Sequence, residues 1–509
     1  MHLSLTAAQR PDALASVESG GTTMTYRALD DASRRLASLF AARGLVPGDT
    51  VAILLPNSAL FCVAAWGAQR AGLYFVPVNW HLTAAEAVHI ARDSGATALI
   101  TEMALAGLAV QLSDACPGLR IRLAAGGAIA EFEAFADAVA DASPTRPATE
   151  PNGHYLFYSS GTTGRPKGVK PALPPTTFGT PLGVEPLLAE RFGFDETTRY
   201  LSTGPMYHAA PLGWSLGTQS LGGTAVLMDR FDPESCLALI EQYRITHAQF
   251  VPTMFTRMLR LPEDVRAAYD LSSLQVVVHA AAPCPPTVKR AMIDWFGPIV
   301  HEYYAASEGN GFFTVDSREW LAHPGTVGRA LVGIPHIVDE DGQEVATGQI
   351  GQIWVDSPRD FEYHNDPEQT ARAHDHRGWS TIGDLGYLDE DGYLFLVDRR
   401  ADLIISGGVN IYPREVEEAL AMHPAVADAA VVGAPDDDLG QVVVAAVETI
   451  AGVTGDDALV AELLDHAGRT LARFKLPRRT VFVESLPRLP SGKILRREVR
   501  AYLSAASGS

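Results

Sequence analysis

The densest chemistry in the chain lies between Tyr158 and Lys170, where YSSGTTGRPKGVK follows the apolar, strand-like HYLFY. Ser159, Ser160, Thr162 and Thr163 supply hydroxyl donors, and Gly161, Gly164 and Gly168 let main-chain N–H groups approach an anion closely. Lys167 adds a positive charge. Hydroxyls, bare backbone and one cation in a short loop are what a phosphate group needs. The spacing is not that of the nucleotide loop in which Lys is followed by Ser or Thr for magnesium, because Gly168 follows Lys167. A Ser/Gly linker explains the small residues but not the single Lys set after the donor run.

SSGTTGRPKG resembles the phosphate-binding signature of the acyl-adenylate-forming superfamily, and further motifs of that family follow in order across almost the whole chain. YAASEG (Tyr304 to Gly309) is similar to the family's aromatic–Gly–x–Thr–Glu element. The resemblance implies that Tyr304 stacks on adenine, Ser307 takes the Thr role and Glu308 helps hold magnesium on the ATP phosphates. An aromatic face suits adenine, and carboxylate oxygen suits a hard cation. Ala305 stands where the family usually has Gly, and Ser307 replaces Thr. AAAPCP (Ala280 to Pro285), after the strand-like LQVVVHA, matches the small-residue wall on the other side of adenine, formed by Ala281, Ala282 and Pro283. Alone it would be an ordinary strand exit.

TIGDLGYL resembles the segment whose aspartate, here Asp384, accepts from the ribose hydroxyls, with Arg399 as its companion. DRRADLIISGGVNIYPREVE is similar to the family's hinge and second-domain signature, in which Asp402 is the hinge and Gly407–Gly408 line the path of the coenzyme A arm. LPRLPSGKILRRE ends on the family's Gly-Lys pair, which makes Lys493 the catalytic lysine by resemblance, with Thr163, Glu308 and His208 as its companions. PMYHAAPLGW resembles the wall beside the acyl group, which assigns His208, Ala209 and Gly213 to the acyl pocket together with Ala305 and Ala306. No Asp for a substrate ammonium occurs in that stretch, so a hydrophobic acid without an α-amine is expected.

The implied activity is an AMP-forming acid–CoA ligase using ATP, Mg2+ and coenzyme A, with a medium- or long-chain fatty acid favoured over a sterol-like or aryl acid. HAAAPCP, HEYY and YHNDPEQT look most like bacterial fatty-acyl-CoA synthetases. A ligase loading a carrier-protein thiol and a non-catalytic nucleotide- or CoA-binding protein are the alternatives, and a luciferase-like oxygenase is a remote third. Relatives of this kind are often dimers, so a homodimer is among the expectations.

The elements that position these motifs read as alternating helix and strand. Leu29 to Gly44 carries apolar residues at helical spacing and ends on glycine, and VAILLP follows as a strand. Ala59–Arg70 reads as a helix, Tyr74–Val78 as a strand, AAEAVHIARDSG as a helix and Ala96–Thr101 as a strand. Strand patterns recur at Thr224–Met228, Ala248–Val251 and Leu274–His279. This alternation predicts an α/β body of mainly parallel sheets layered with helices. After about Val327 turn-rich pieces separate short strands, which predicts a small β-rich subdomain. From Arg399 onward a strand LIIS, a loop GGVNIYP, a helix and a strand predict a small, mobile α+β C-terminal domain. The expected division is 1–398 for the N-terminal adenylate-forming domain, 399–402 for the hinge and 403–509 for the C-terminal domain.

Composition sets the outer bounds. The 509 residues exceed one ordinary domain, and 47% hydrophobic with 20% charged residues describe a globular protein. A net charge of −20 argues against a nucleic-acid binder, which needs clustered cations. The stretch from Arg473 to Arg500 is locally basic nonetheless, and the resemblance gives it a role against coenzyme A phosphates beside its reading as a solvated face. Four scattered cysteines without a CxxC pair predict buried thiols in a reducing, cytoplasmic setting. No signal peptide or membrane span is expected. HEYY lacks the second His of a zinc-protease motif, and His364, His374 and His376 read as solvated loop residues rather than metal ligands.

Overall fold

The computed structural model of the chain describes residues 2–143, 150–159, 166–399, 402–406, 409–436, 439–488 and 494–505. Two parallel layers form the larger body. One is a six-stranded, all-parallel sheet in the order Glu133–Ala134, Ile121–Ala125, Ala96–Glu102, Thr50–Leu54, Tyr74–Pro77 and His154–Tyr155. Every residue of Thr50–Leu54 is buried, as expected of a strand covered by helices on both faces. The helix Ala59–Arg70 begins at Ser58, whose hydroxyl accepts from Phe61 N, and helix Tyr26–Ala42 is capped in the same way by Thr25. Ala84–Asp93 starts with a capping box between Thr83 and Glu86.

The second layer is a nine-stranded sheet. From Val300–Ala305 it runs through Val276–His279, His247–Phe250, Arg199–Ser202 and Thr224–Leu227 to Leu14–Glu18, all parallel. Antiparallel strands close both ends, Thr23–Thr25 on one and Phe312–Val315 with Arg329–Val332 on the other. Between the layers, Leu36, Phe61, Trp66, Leu212 and Trp214 belong to one continuous buried cluster. Gly67 is required there, because a Cβ would lie 2.7 Å from Leu36 Cδ2.

The β-rich subdomain is a four-stranded antiparallel sheet of Ile334–Val338, Gly351–Asp356, Asp384–Leu388 and Leu394–Arg399. Asp398 and Arg399 end a strand, with Arg399 opposite Asp384. The C-terminal unit packs helices Pro413–Ala421 and Asp457–Ala467 on a sheet built around the long hairpin Val426–Asp436 and Gly440–Thr449. GGVNIYP, read from sequence as a loop, contains the strand Val409–Ile411, which pairs with Ile404–Ser406. β-branched Val409 and Ile411 outweigh the turn signal of the preceding glycines. Arg414 donates to Leu396 O at 2.9 Å and Arg260 to Ala427 O at 3.0 Å, which joins this unit to the larger body. All four cysteines are free and buried, and no helix among the described residues is long and apolar enough to cross a membrane.

Candidate active site

The strands that flank the Ser/Gly-rich motif pair with each other. Phe157–Ser159 and Lys167–Val169 pair antiparallel with Ser159 opposite Lys167, and residues 160–165 between them, which include Ser160, Gly161, Thr162, Thr163 and Gly164, lie outside the described residues. The hairpin is held from below. Tyr158 donates to Asp93 Oδ2 at 2.7 Å, and burial with that carboxylate pushes its phenol pKa up. Gly168 is packed so closely that a Cβ would meet Tyr158 Cζ at 3.0 Å and His364 Cβ at 3.1 Å.

The segment Phe361–Asn365 runs alongside this hairpin, with His364 N donating to Gly168 O at 2.7 Å and Val169 bridged to Tyr363. His364 Nε2 lies 2.9 Å from Asp93 O, and His374 Nε2 lies 2.9 Å from Phe361 O. These two histidines are therefore partly buried struts on backbone carbonyls, not solvated loop residues. The reason is long-range pairing that a polar, turn-rich composition does not show. No cluster of three or more potential metal ligands occurs among the described residues.

Tyr363 is the residue on which the site turns, and motif reading passed over it. Its hydroxyl donates to Glu308 Oε1 at 2.9 Å, and Lys167 Nζ stands 5.6 Å from its ring centroid. One side chain thereby joins the phosphate hairpin to the Glu308 carboxylate. Ser307 and Glu308 occupy the turn that leaves the strand Val300–Ala305, closed by Gly309 N donating to Ala306 O at 3.0 Å. Gly309 takes φ 71°, which favours glycine. Tyr304, four residues before Glu308, donates to Asp384 Oδ2 at 2.6 Å across the junction with the β-rich sheet. The backbone of Arg399 lies opposite Asp384.

The small-residue loop leaves the neighbouring strand Val276–His279, whose last residue pairs with Glu302, two positions before Tyr304. Ala281 and Pro283 are exposed, Ala282 is half-buried, and Ala281 holds φ 72°, a left-handed conformation that costs a non-glycine residue about 1 kcal/mol or more. Small, exposed residues at this loop present no bulky side chain beside the strand that carries Tyr304.

His208 enters from the other strand ends, as the N-cap of helix Ala209–Ser220. The loop before it is clamped by buried Asn57, which donates to Gly204 O and Met228 O and accepts from Met206 N. Burial drives the His208 pKa down to about 4, so the imidazole is neutral near pH 7. Its Nε2 and the neighbouring Tyr207 hydroxyl are buried with no hydrogen-bond partner. Two such atoms on adjacent residues are a cost that a polar ligand group would offset. A Cβ at Gly213, on the same helix, would meet nothing within 4 Å, and Ala209 and Ala305 pack beside the buried cluster there. That cluster continues as an aromatic stack of Trp214 on Tyr303 and Tyr303 on Phe312, with Gln249 donating to the Tyr303 hydroxyl.

Asp402 faces Arg500 at 3.2 Å and Arg496 at 3.5 Å, which anchors it to the C-terminal helix Arg496–Ala505. Gly407, Gly408 and Lys493 lie outside the described residues.

A two-layer α/β body, a small antiparallel β-rich sheet and a C-terminal α+β unit make up the molecule. The chain belongs to the AMP-binding enzyme family: residues 3–362 match that family, and residues 415–493 match its C-terminal domain. It is 36% identical over 490 residues to a feruloyl-CoA synthase of an Amycolatopsis species, covering 95% of each chain. It is 35% identical over 506 residues to a fatty acid–[acyl-carrier-protein] ligase of Streptomyces coeruleorubidus, covering 94% of this chain and 92% of that one. Among solved structures it resembles the o-succinylbenzoate CoA synthetase of Bacillus subtilis in complex with its acyl-adenylate intermediate. The TM-score is 0.81 at 30% identity, over 98% of this chain and 97% of that one. The family membership and the α/β architecture read from the motifs thus hold.

Proposed function

We propose that the chain is an ATP-dependent acid–CoA ligase that adenylates a hydrophobic carboxylic acid and then passes the acyl group to coenzyme A. The observation that carries this reading is the convergence of Lys167, Tyr363 and Glu308 beside the Tyr304–Asp384 pair. On this reading the cation and the fixed carboxylate serve the phosphates, the aromatic face serves adenine and the second carboxylate serves the ribose.

In the first half-reaction a carboxylate oxygen bonds to the α-phosphorus of ATP, and the bond from that phosphorus to the bridging oxygen breaks to release pyrophosphate. Both partners are anions, so catalysis is chiefly positioning and charge neutralisation. In this reading Lys167 and residues 159–164 hold the phosphates, Ala281–Pro283 and Tyr304 flank adenine, and Asp384 with Arg399 takes the ribose hydroxyls. Glu308 suits magnesium, a hard cation that keeps waters and substrate phosphates as its other ligands. Tyr363 fixes one Glu308 oxygen in place for that role. When bound, the ion adds positive charge at the phosphates. Lys493 reaches the carboxylate and the α-phosphate, and neutral His208 donates a hydrogen bond without adding charge.

In the second half-reaction the coenzyme A thiol attacks the acyl carbon and AMP leaves. The proposed division is 1–398, hinge 399–402 and 403–509, with rotation at Asp402 exchanging Lys493 for the Gly407–Gly408 path. His208, Ala209, Gly213, Ala305 and Ala306 border the acyl group. Their small, apolar character favours a hydrophobic acid, with a fatty acyl chain first and an aryl acid next. The likeness to a carrier-protein ligase supports one rival acceptor, a phosphopantetheine thiol on a protein. A cytoplasmic site of action and a homodimer complete the reading.

The test supplies ATP, magnesium and a panel of fatty, sterol-like and aryl acids, and identifies products by mass spectrometry with and without coenzyme A. AMP, pyrophosphate and an acyl-CoA are expected. AMP-linked acyl product that transfers only to a holo carrier protein would move the acceptor to the rival. No nucleotide turnover with any acid would overturn the proposal.

A further inference from the structure

Both ends of the Ala280–Pro285 loop, which in the proposed function walls an adenine slot beside Tyr304, lie next to one buried carboxylate. The strands Val276–His279 and Val300–Ala305 pair in parallel as far as His279 opposite Glu302. Beyond that rung the first strand leaves the sheet through Ala280 and the left-handed Ala281, while the second continues through Tyr304 paired with Phe312–Val315. The rung is a fork, and the proposed adenine slot lies beyond it.

Glu302 holds the fork from the face opposite Tyr303. Lys289 Nζ lies 2.5 Å from Glu302 Oε2, and Lys289 belongs to helix Pro286–Phe296, which starts directly after the loop. His279 Nε2, at the entrance of the loop, lies 3.5 Å from the same oxygen. The Lys289 and His279 side chains are fully buried and that of Glu302 is 8% exposed. Trp320 packs under the Lys289 head with its ring centroid 4.9 Å from Nζ, so the ammonium has one place to be. A buried ion pair is a poor device for stability alone, since apolar residues of equal volume serve as well or better. It is a good device for geometry, and Ala281 persists in a strained conformation only where its surroundings hold it.

We infer that Glu302 is a positioning residue that sets the width of the nucleotide slot, tying the exit of the Ala280–Pro285 loop through Lys289 and its entrance beside His279. The inference rests on the reading that the slot takes adenine. Glu302 touches neither substrate nor metal. It acts through the distance between Ala281–Pro283 and Tyr304, so its loss weakens nucleotide binding and leaves acid and coenzyme A binding alone.

The experiment measures AMP binding by calorimetry and KM for ATP, acid and coenzyme A, with thermal midpoints, on wild type, Glu302→Gln and the double variant Lys289→Met/Glu302→Gln. The double variant removes both charges, so a purely structural pair predicts recovery of stability and of nucleotide affinity together. Positioning predicts recovered stability with the AMP Kd and ATP KM still raised about tenfold, in keeping with the penalty for a misplaced binding wall. An AMP Kd within about twofold of wild type in the folded double variant would overturn the inference, as twofold is under half a kcal/mol. Should the double variant not fold, near-isosteric Glu302→Gln decides by the same comparison of AMP Kd. Wild type that binds no AMP would sink the adenine reading of the slot itself, a different failure from variants that bind as wild type does.

Discussion

At the scale of single residues the site is a set of side chains held by partners far away in sequence. Tyr363 and Glu308 are 55 positions apart and Tyr304 and Asp384 are 80 apart. Tyr363→Phe keeps the ring under Lys167 and removes only the hydrogen bond to the carboxylate. A bond to a charged group contributes roughly 1.5–3 kcal/mol, so the magnesium concentration for half-maximal rate should rise about tenfold or more with the fold unchanged. Magnesium titration of the initial rate together with circular dichroism checks this, and an unmoved half-saturation point would remove Tyr363 from the site. Lys493→Ala should lower adenylation by about 10²–10³, the cost of removing one transition-state donor. Single-turnover pyrophosphate release measures it. The motif residues stand out in the sequence because each proposed role demands a residue type. Their supports do not, because Tyr363, Lys289 and Glu302 show their roles only through contacts that folding creates.

At the scale of elements, local pattern carried most of the architecture. The helix Ala59–Arg70 and the strand at Tyr74 fall where apolar spacing put them, and the helix expected from Leu29 begins at Tyr26, on the Thr25 cap. The β-rich texture after Val327 became a four-stranded antiparallel sheet. Sequence order did not reveal that this sheet brings Asp384 to Tyr304, since neighbouring strands in space are set by packing of whole layers. The hairpin under the phosphate loop offers the clearest test at this scale. Gly168→Val puts a branched side chain where a Cβ already crowds Tyr158 and His364, so the hairpin must shift. The ATP KM should rise at least about tenfold while the acid KM stays put, because a displaced wall on the order of 1 Å costs that much or more. Steady-state kinetics with either substrate varied would show it, and equal changes in both constants would contradict it.

At the scale of the whole molecule two properties follow. Burial lowers the pKa of His154, His208 and His301 each to about 4, below the ordinary imidazole value of about 6.5. Below the unfolded value the unfolded chain binds protons that the folded chain refuses, so stability is full above about pH 6.5 and declines as pH falls toward 4. Urea midpoints at pH 7.5 and 5 should differ clearly in that direction, and an unchanged midpoint would contradict the burial assigned to these rings. The joint between the two units gives the second property. Asp402→Pro fixes φ near −65° at the proposed pivot. Pyrophosphate release should survive in that variant while acyl transfer to coenzyme A falls, and equal loss of both steps would place the pivot elsewhere.

The central claim is that the acid is activated as its adenylate, and isotope transfer tests it most directly. A substrate acid carrying 18O in both carboxylate oxygens is turned over with ATP, magnesium and coenzyme A, and the released AMP is examined by mass spectrometry. Attack of the carboxylate on the α-phosphorus leaves one labelled oxygen on the AMP phosphate when the thiol displaces it, and that is the predicted result. Unlabelled AMP, with the label retained in the acid or found in inorganic phosphate, would contradict the account.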